Sequence, residues 1–164
     1  MIAPKRVLID ECVSRRVLDA VNGILAMGRQ EQVQFIYLTD FVGSCGAKDI
    51  EWVPKARAAG YMVVSADMGR RKRGDKLPEL CDLYGVKHVL ISPKLKQKGQ
   101  MAIAMALFAC WQGIGIAWGE ANSSRFQLQL VSILGKHEVG THRPALHRHP
   151  ARRQRVLFPP GGPA

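Results

Sequence analysis

The sequence predicts an α/β fold, a mostly parallel β-sheet with helices on both faces. Three observations carry this. Short β-type runs alternate with helical stretches along most of the chain, the order that parallel strands joined by crossover helices require. The strand runs, such as KRVLI and YMVVSA, are mostly apolar in continuous stretches, as strands covered on both faces are. Glycines follow the helical stretches at Gly28, Gly60 and Gly85, where a left-handed residue closes a helix without steric penalty.

Taken in order, residues 5–9 (KRVLI) form a first strand. Val17, Leu18, Val21, Ile24 and Leu25 then recur at i, i+1, i+4, i+7 and i+8, one face of a helix over 14–27 with Ser14 as cap and Gly28 as stop. Residues 33–39 (VQFIYLT) read as a second strand, followed by a Gly/Ser/Cys loop and a helix over 49–59. Pro54 removes a backbone donor inside that helix, so its regular part is expected to begin only near Pro54. Residues 61–66 are a third strand. Leu77, Leu80, Cys81 and Tyr84 mark a short helix by their i, i+3, i+4, i+7 spacing, and 86–92 are a fourth strand. A long apolar helix over 98–120 and an alternating fifth strand, 125–132, follow.

The chain holds 164 residues, 47% apolar and 23% charged, enough for one buried core and too apolar for wholesale disorder. Residues 1–135 are expected to form one α/β domain. Residues 136–164 are rich in His, Arg, Pro and Gly without periodicity and read as a disordered basic tail. The net charge is +11. The tail carries six Lys/Arg against Glu138, which leaves eighteen against twelve in residues 1–135. A folded part that is itself basic points to a polyanionic partner. Cys12, Cys45, Cys81 and Cys110 have no metal-type spacing and are expected as buried, reduced thiols. Asp10 and Glu11 interrupt any secretory start, and Gln112 with two glycines breaks the apolar run 101–118, so no membrane span and a cytoplasmic location are expected.

Chemistry concentrates at the strand ends. VLID, FIYLTD and VVSAD close on Asp10, Asp40 and Asp67. In an open parallel sheet all strand carboxyl ends share one edge, where such folds place their sites. Asp49 arrives on the same side at a helix start, with Glu11 and Glu51 close behind. Clustered carboxylates repel, and a hard divalent cation such as Mg²⁺ or Mn²⁺ resolves the conflict with oxygen ligands. An aspartate after a strand is equally a turn former or helix cap, and Asp40, followed by Gly43, fits that plainer role. Arg70, Arg71, Lys72 and Arg73 follow Asp67 directly, and Arg15 and Arg16 open the first helix toward the same edge. Cations beside a carboxylate centre suit a phosphodiester substrate. No aromatic interleaving marks a base-stacking surface, so contact with the nucleic-acid backbone is expected.

The stretches VLIDECVSRRVLDAV, KDIEWVPKARAAGYMVVSADMGRRKR and LYGVKHVLISP resemble a PIN-like domain, closest to the subgroup associated with VapC-type toxin ribonucleases. The resemblance covers about residues 5–122. It implies a three-layer α/β/α fold around a central, mostly parallel sheet of four to five strands, and a Mg²⁺- or Mn²⁺-dependent ribonuclease acting on RNA. It carries Asp10, Asp49 and Asp67 over as catalytic and metal-binding acids. A fourth acid usually follows the third; here Met68, Gly69 and arginines stand there, leaving Glu11, Glu51, Asp40 or Asp75 as additional acids. An antitoxin protein and a homodimer are partners the resemblance implies.

Two other classes stay open. One is a catalytically weak PIN-like module that only binds RNA or a partner. The other is a receiver-type domain with Asp67 as phospho-acceptor and Asp10-Glu11 as acidic pair, although its expected Lys-Pro after the fifth strand is missing, since His137 follows Lys136. The GIGIAWG segment at 113–119 lacks the preceding strand of a dinucleotide loop.

Overall fold

The structure, a computed structural model, describes residues 5–27, 33–67, 76–120, 125–132 and 142–148. Five strands, β1 (Lys5–Ile9), β2 (Val33–Tyr37), β3 (Met62–Ser65), β4 (His88–Ile91) and β5 (Arg125–Ser132), are parallel, in the order β2-β1-β3-β4-β5. A sixth, β6 (His142–Arg148), pairs antiparallel with β5 at the edge. The helices are α1 (Arg15–Met27), α2 (Leu38–Val42), α3 (Asp49–Ala58), α4 (Leu77–Tyr84), α5 (Pro93–Gln97), α6 (Gln100–Ala109) and α7 (Trp111–Gly119).

Alternate strand residues feed two cores, as the two-residue repeat of a strand requires. Val7, Ile9, Met62, Val64, Val89 and Ile91 pack with α1, α5, α6 and α7 on one side. Leu8 and Val63 pack with Leu38, Trp52, Val53, Leu77 and Leu80 from α2, α3 and α4 on the other. The result is the three-layer α/β/α arrangement expected from the sequence, its mostly parallel sheet holding six strands where four to five were expected. Ser14 precedes α1 and accepts from the Arg16 amide at 3.3 Å, and Gly85 closes α4 at φ +65°.

Four elements differ from the sequence expectation. The second strand stops at Tyr37, and Leu38 turns into the short helix α2, so Asp40 sits on a helix and not in a turn. α3 runs from Asp49 with Pro54 inside it. Burial of Trp52 and Val53, with the Trp52 indole N–H donating to Asp49 Oδ1 at 3.2 Å, holds the first turn despite the lost backbone bond. The single long helix over 98–120 is instead α5, α6 and α7. Gly99, at φ +89°, separates the first two, and a 61° bend at Cys110 separates α6 from α7. The bend lets α7 approach β2, where Gly115 leaves only 3.1 Å between an added Cβ and Val33. Finally, β6 falls within the segment read as an aperiodic tail; among the described residues it is the last strand of the sheet, an edge position of the kind where a proline such as Pro144 is accommodated.

No single helix among the described residues is long and apolar enough to cross a membrane. The α6–α7 pair passes by length and composition only as a bent pair, and its Ile103, Leu107 and Ile114 are buried in the core.

Candidate active site at the carboxyl edge of the sheet

The strands β1 and β3 are adjacent and parallel, with Ile9 opposite Val64. Asp10 extends that ladder by one bond, its amide donating to the Val64 carbonyl at 2.9 Å. Asp67 follows β3 on the same edge. Its amide donates to Ser65 Oγ at 3.3 Å, and Ser65 Oγ shares a 2.9 Å hydrogen bond with Nε2 of the buried His88 on β4. Burial, with the Arg125 charge adding, lowers His88 to about 4, so its ring is neutral at pH 7.

Asp10 is half-buried and tightly held. The Cys12 thiol donates to Oδ2 at 2.9 Å and the Glu11 amide to Oδ1 at 2.8 Å. Cys12 Sγ in turn accepts from the Ala66 amide at 2.9 Å, which ties the end of β1 to the end of β3. Burial pushes Asp10 above the ordinary carboxylate value, opposed by these two hydrogen bonds and reinforced by the charges of Asp67 and then Glu11. Burial, then the charge of Asp10, pushes the Cys12 thiol to about 12, so it remains a protonated donor.

Asp49 opens α3 on the opposite face of the sheet. The buried Cys81 thiol is raised by burial and then by the charges of Asp82, Asp49 and Asp10. Glu11 turns its carboxylate to the Gly46 amide, at 3.0 and 3.3 Å. Glu51 is exposed on the first turn of α3, and Arg16 is exposed on α1. Arg15 is already engaged: its Nη2 donates to both Asp40 oxygens at 2.6 and 2.5 Å, and its guanidinium lies 5.2 Å from the Tyr37 ring centroid. Asp75, Arg70, Arg71, Lys72 and Arg73 lie outside the described residues.

Carboxylates alone suit a hard cation, and Mg²⁺ usually takes only one or two of them while keeping several waters. Asp10, coupled by charge to Asp67, fits that pattern. Among the described residues, however, no three of His, Cys, Asp and Glu stand together closely enough to hold an ion.

Three contributors at this edge were not legible as such. Cys12 looked like an ordinary core thiol, although its position two residues after Asp10 was the available signal; Cys45, by contrast, is exposed, so the expectation of four buried thiols holds only for Cys81 and Cys110. Lys96, on α5 beyond β4, lowers the Cys12 thiol by its charge. Tyr37 ends β2 opposite Ile9, an aromatic at the edge where none was expected.

Residues 5–81 match a family model described as a PIN like domain. The match takes in β1 through most of α4 and includes Asp10, Asp49 and Asp67. PIN-like domains are usually nucleases, which are hydrolases, and PIN domains generally use divalent metals. No curated protein and no solved structure matches the chain.

Proposed function

We propose that the chain is a metal-dependent endoribonuclease of the PIN-like, toxin type, hydrolysing RNA phosphodiesters at the carboxyl edge of its sheet. The observation that carries the reading is Asp10: a half-buried acid that extends the β1–β3 ladder, its carboxylate fixed by the Cys12 thiol and the Glu11 amide, on the edge where Asp67 follows β3. Carboxylates gathered at one edge repel one another, and a positive charge between them relieves that repulsion. A bound Mg²⁺ or Mn²⁺ supplies that charge, polarises a phosphoryl oxygen and acidifies a water.

The chain's own residues do the rest. Asp10 and Asp67 would hold the cation, Cys12 and the Glu11 amide fix the Asp10 carboxylate, and Asp49 would bind a second ion or orient the attacking water. Arg70, Arg71, Lys72, Arg73 and Arg16 bind the RNA backbone and offset charge developing on the scissile phosphate. Water attacks the phosphorus in line with the ribose 3′ oxygen: its O–P bond forms as the P–O3′ bond breaks, and the proton that water loses ends on the departing 3′ oxygen. The net charge of +11 supports an RNA substrate, since neutralised phosphates release counterions. An antitoxin protein, a second copy of the chain and a cytoplasmic location belong to the same reading.

The Asp10→Asn variant tests it. Cleavage of single-stranded RNA in Mn²⁺ should fall at least ~100-fold, as expected when a group central to metal catalysis is lost, while circular dichroism stays unchanged. Cleavage at the parental rate by the folded variant would sink the assignment.

A second reading, a catalytically weak PIN-like module that binds RNA or a partner, is favoured by one observation: no three acids converge among the described residues. Salt-sensitive RNA binding with no turnover in either Mg²⁺ or Mn²⁺ would support it. A receiver-type domain shares the β2-β1-β3-β4-β5 order, so topology does not discriminate; the PIN-like match over residues 5–81 favours the nuclease.

A further inference from the structure

We propose that Arg15 and Tyr37 form a nucleobase-stacking subsite beside the carboxylates, which takes a base of single-stranded RNA. The inference rests on the nuclease reading above and adds to it a contact that recognises the base and not the phosphate. The sequence had suggested the reverse, with Arg15 as a phosphate-binding cation.

Placement comes first. Tyr37 ends β2 directly opposite Ile9, and the residue after Ile9 is Asp10. The Tyr37 hydroxyl donates to the Glu11 carbonyl at 3.4 Å, so the ring is tethered to the segment that carries the acid. Arg15, in the first turn of α1, lies over that ring.

Charge decides the ligand. A phosphate would have to displace Asp40, which accepts twice from the Arg15 guanidinium. With Asp40 in place the pair is neutral overall and holds the guanidinium over the tyrosine. Both partners nevertheless face solvent, with Arg15 and Asp40 side chains 50% and 46% exposed. A delocalised cation held on an aromatic ring, open to solvent and without net charge, is a poor clamp for an anion. It matches the π-face of a base, which stacks on aromatic rings and on arginine planes alike. Lysine could not substitute, because an ammonium has no plane to present.

The test measures binding by the full chain in EDTA, where cleavage does not interfere. Fluorescence anisotropy compares a labelled oligoadenylate with an abasic ribose-phosphate oligomer of equal length and charge. The parent chain should prefer the oligoadenylate by roughly tenfold, in the range that stacking of one base provides. Arg15→Lys and Tyr37→Leu should each erase most of that preference while leaving abasic binding within about twofold, as expected when phosphate contacts are untouched; Tyr37→Phe should keep it. If Tyr37→Leu fails to fold, Arg15→Lys decides. Equal binding of both oligomers by the parent, or a preference that survives in folded variants, overturns the subsite and leaves the nuclease reading standing. Binding of neither oligomer overturns both.

Discussion

At the scale of single residues, the site is organised around one thiol. Cys12 donates to Asp10 and accepts from the Ala66 amide, so a single side chain joins the ends of two strands that are far apart in sequence. Replacing it by alanine removes both bonds and leaves a half-buried carboxylate oxygen and an amide with fewer partners. Such losses cost ~1–3 kcal/mol, and urea denaturation of Cys12→Ala should show a destabilisation of about that size, with Cys12→Ser recovering part of it. A stability equal to the parent would mean the two bonds carry no net weight. Asp10 and Asp67 could be picked out from the sequence because each ends an apolar run. Cys12, Tyr37 and the Arg15–Asp40 pair could not, because they depend on which strand lies beside which.

At the scale of elements, glycine shows how one residue type serves opposite ends. Gly23 in α1 is exposed, with nothing within 4 Å of an added Cβ, whereas at Gly115 in α7 that Cβ meets Val33 of β2 at 3.1 Å. The first is a helix-interior position where alanine regains the entropy that glycine loses, ~0.5–1 kcal/mol. The second is a contact between layers, where added volume costs ~1–3 kcal/mol by overpacking. Thermal melts should therefore move up for Gly23→Ala and down for Gly115→Val; a melting temperature unchanged by Gly115→Val would show that α7 can retreat from β2 freely. The strands β1 to β5 and the buried faces of α1 and α4 were readable from apolar runs and periodicity. The break of the 98–120 stretch was not, since an all-round apolar helix has no polar face to reveal where it bends around the sheet.

At the scale of the whole molecule, stability depends on a histidine at the centre of the sheet. His88 is buried, hydrogen-bonded to Ser65, and lowered from 6.5 to about 4, by burial first and then by Arg125. Unfolding frees it to take up a proton at any pH below 6.5. The neutral ring thus costs nothing above that value, and stability is lost as pH falls from 6.5 toward 4, by about 3 kcal/mol in all. The raised Asp10 works in the opposite sense, since the folded state binds its proton more readily, and offsets part of the loss at the acid end. Urea denaturation in EDTA across this range should give a falling profile that His88→Gln flattens; an equally steep profile in that variant would assign the acid sensitivity elsewhere.

The chain's order of apolar runs and helical faces was enough to determine the three-layer α/β/α architecture and to place Asp10 and Asp67 at the ends of adjacent strands, because parallel strands have only one carboxyl side. Which partners those acids have was decided by the tertiary structure. Strand order put Cys12 against Ala66, Tyr37 level with Ile9, and Asp40 across from Arg15. Strand order and the distances between side chains arise from packing two layers of helices on a sheet, and local periodicity carries no record of either.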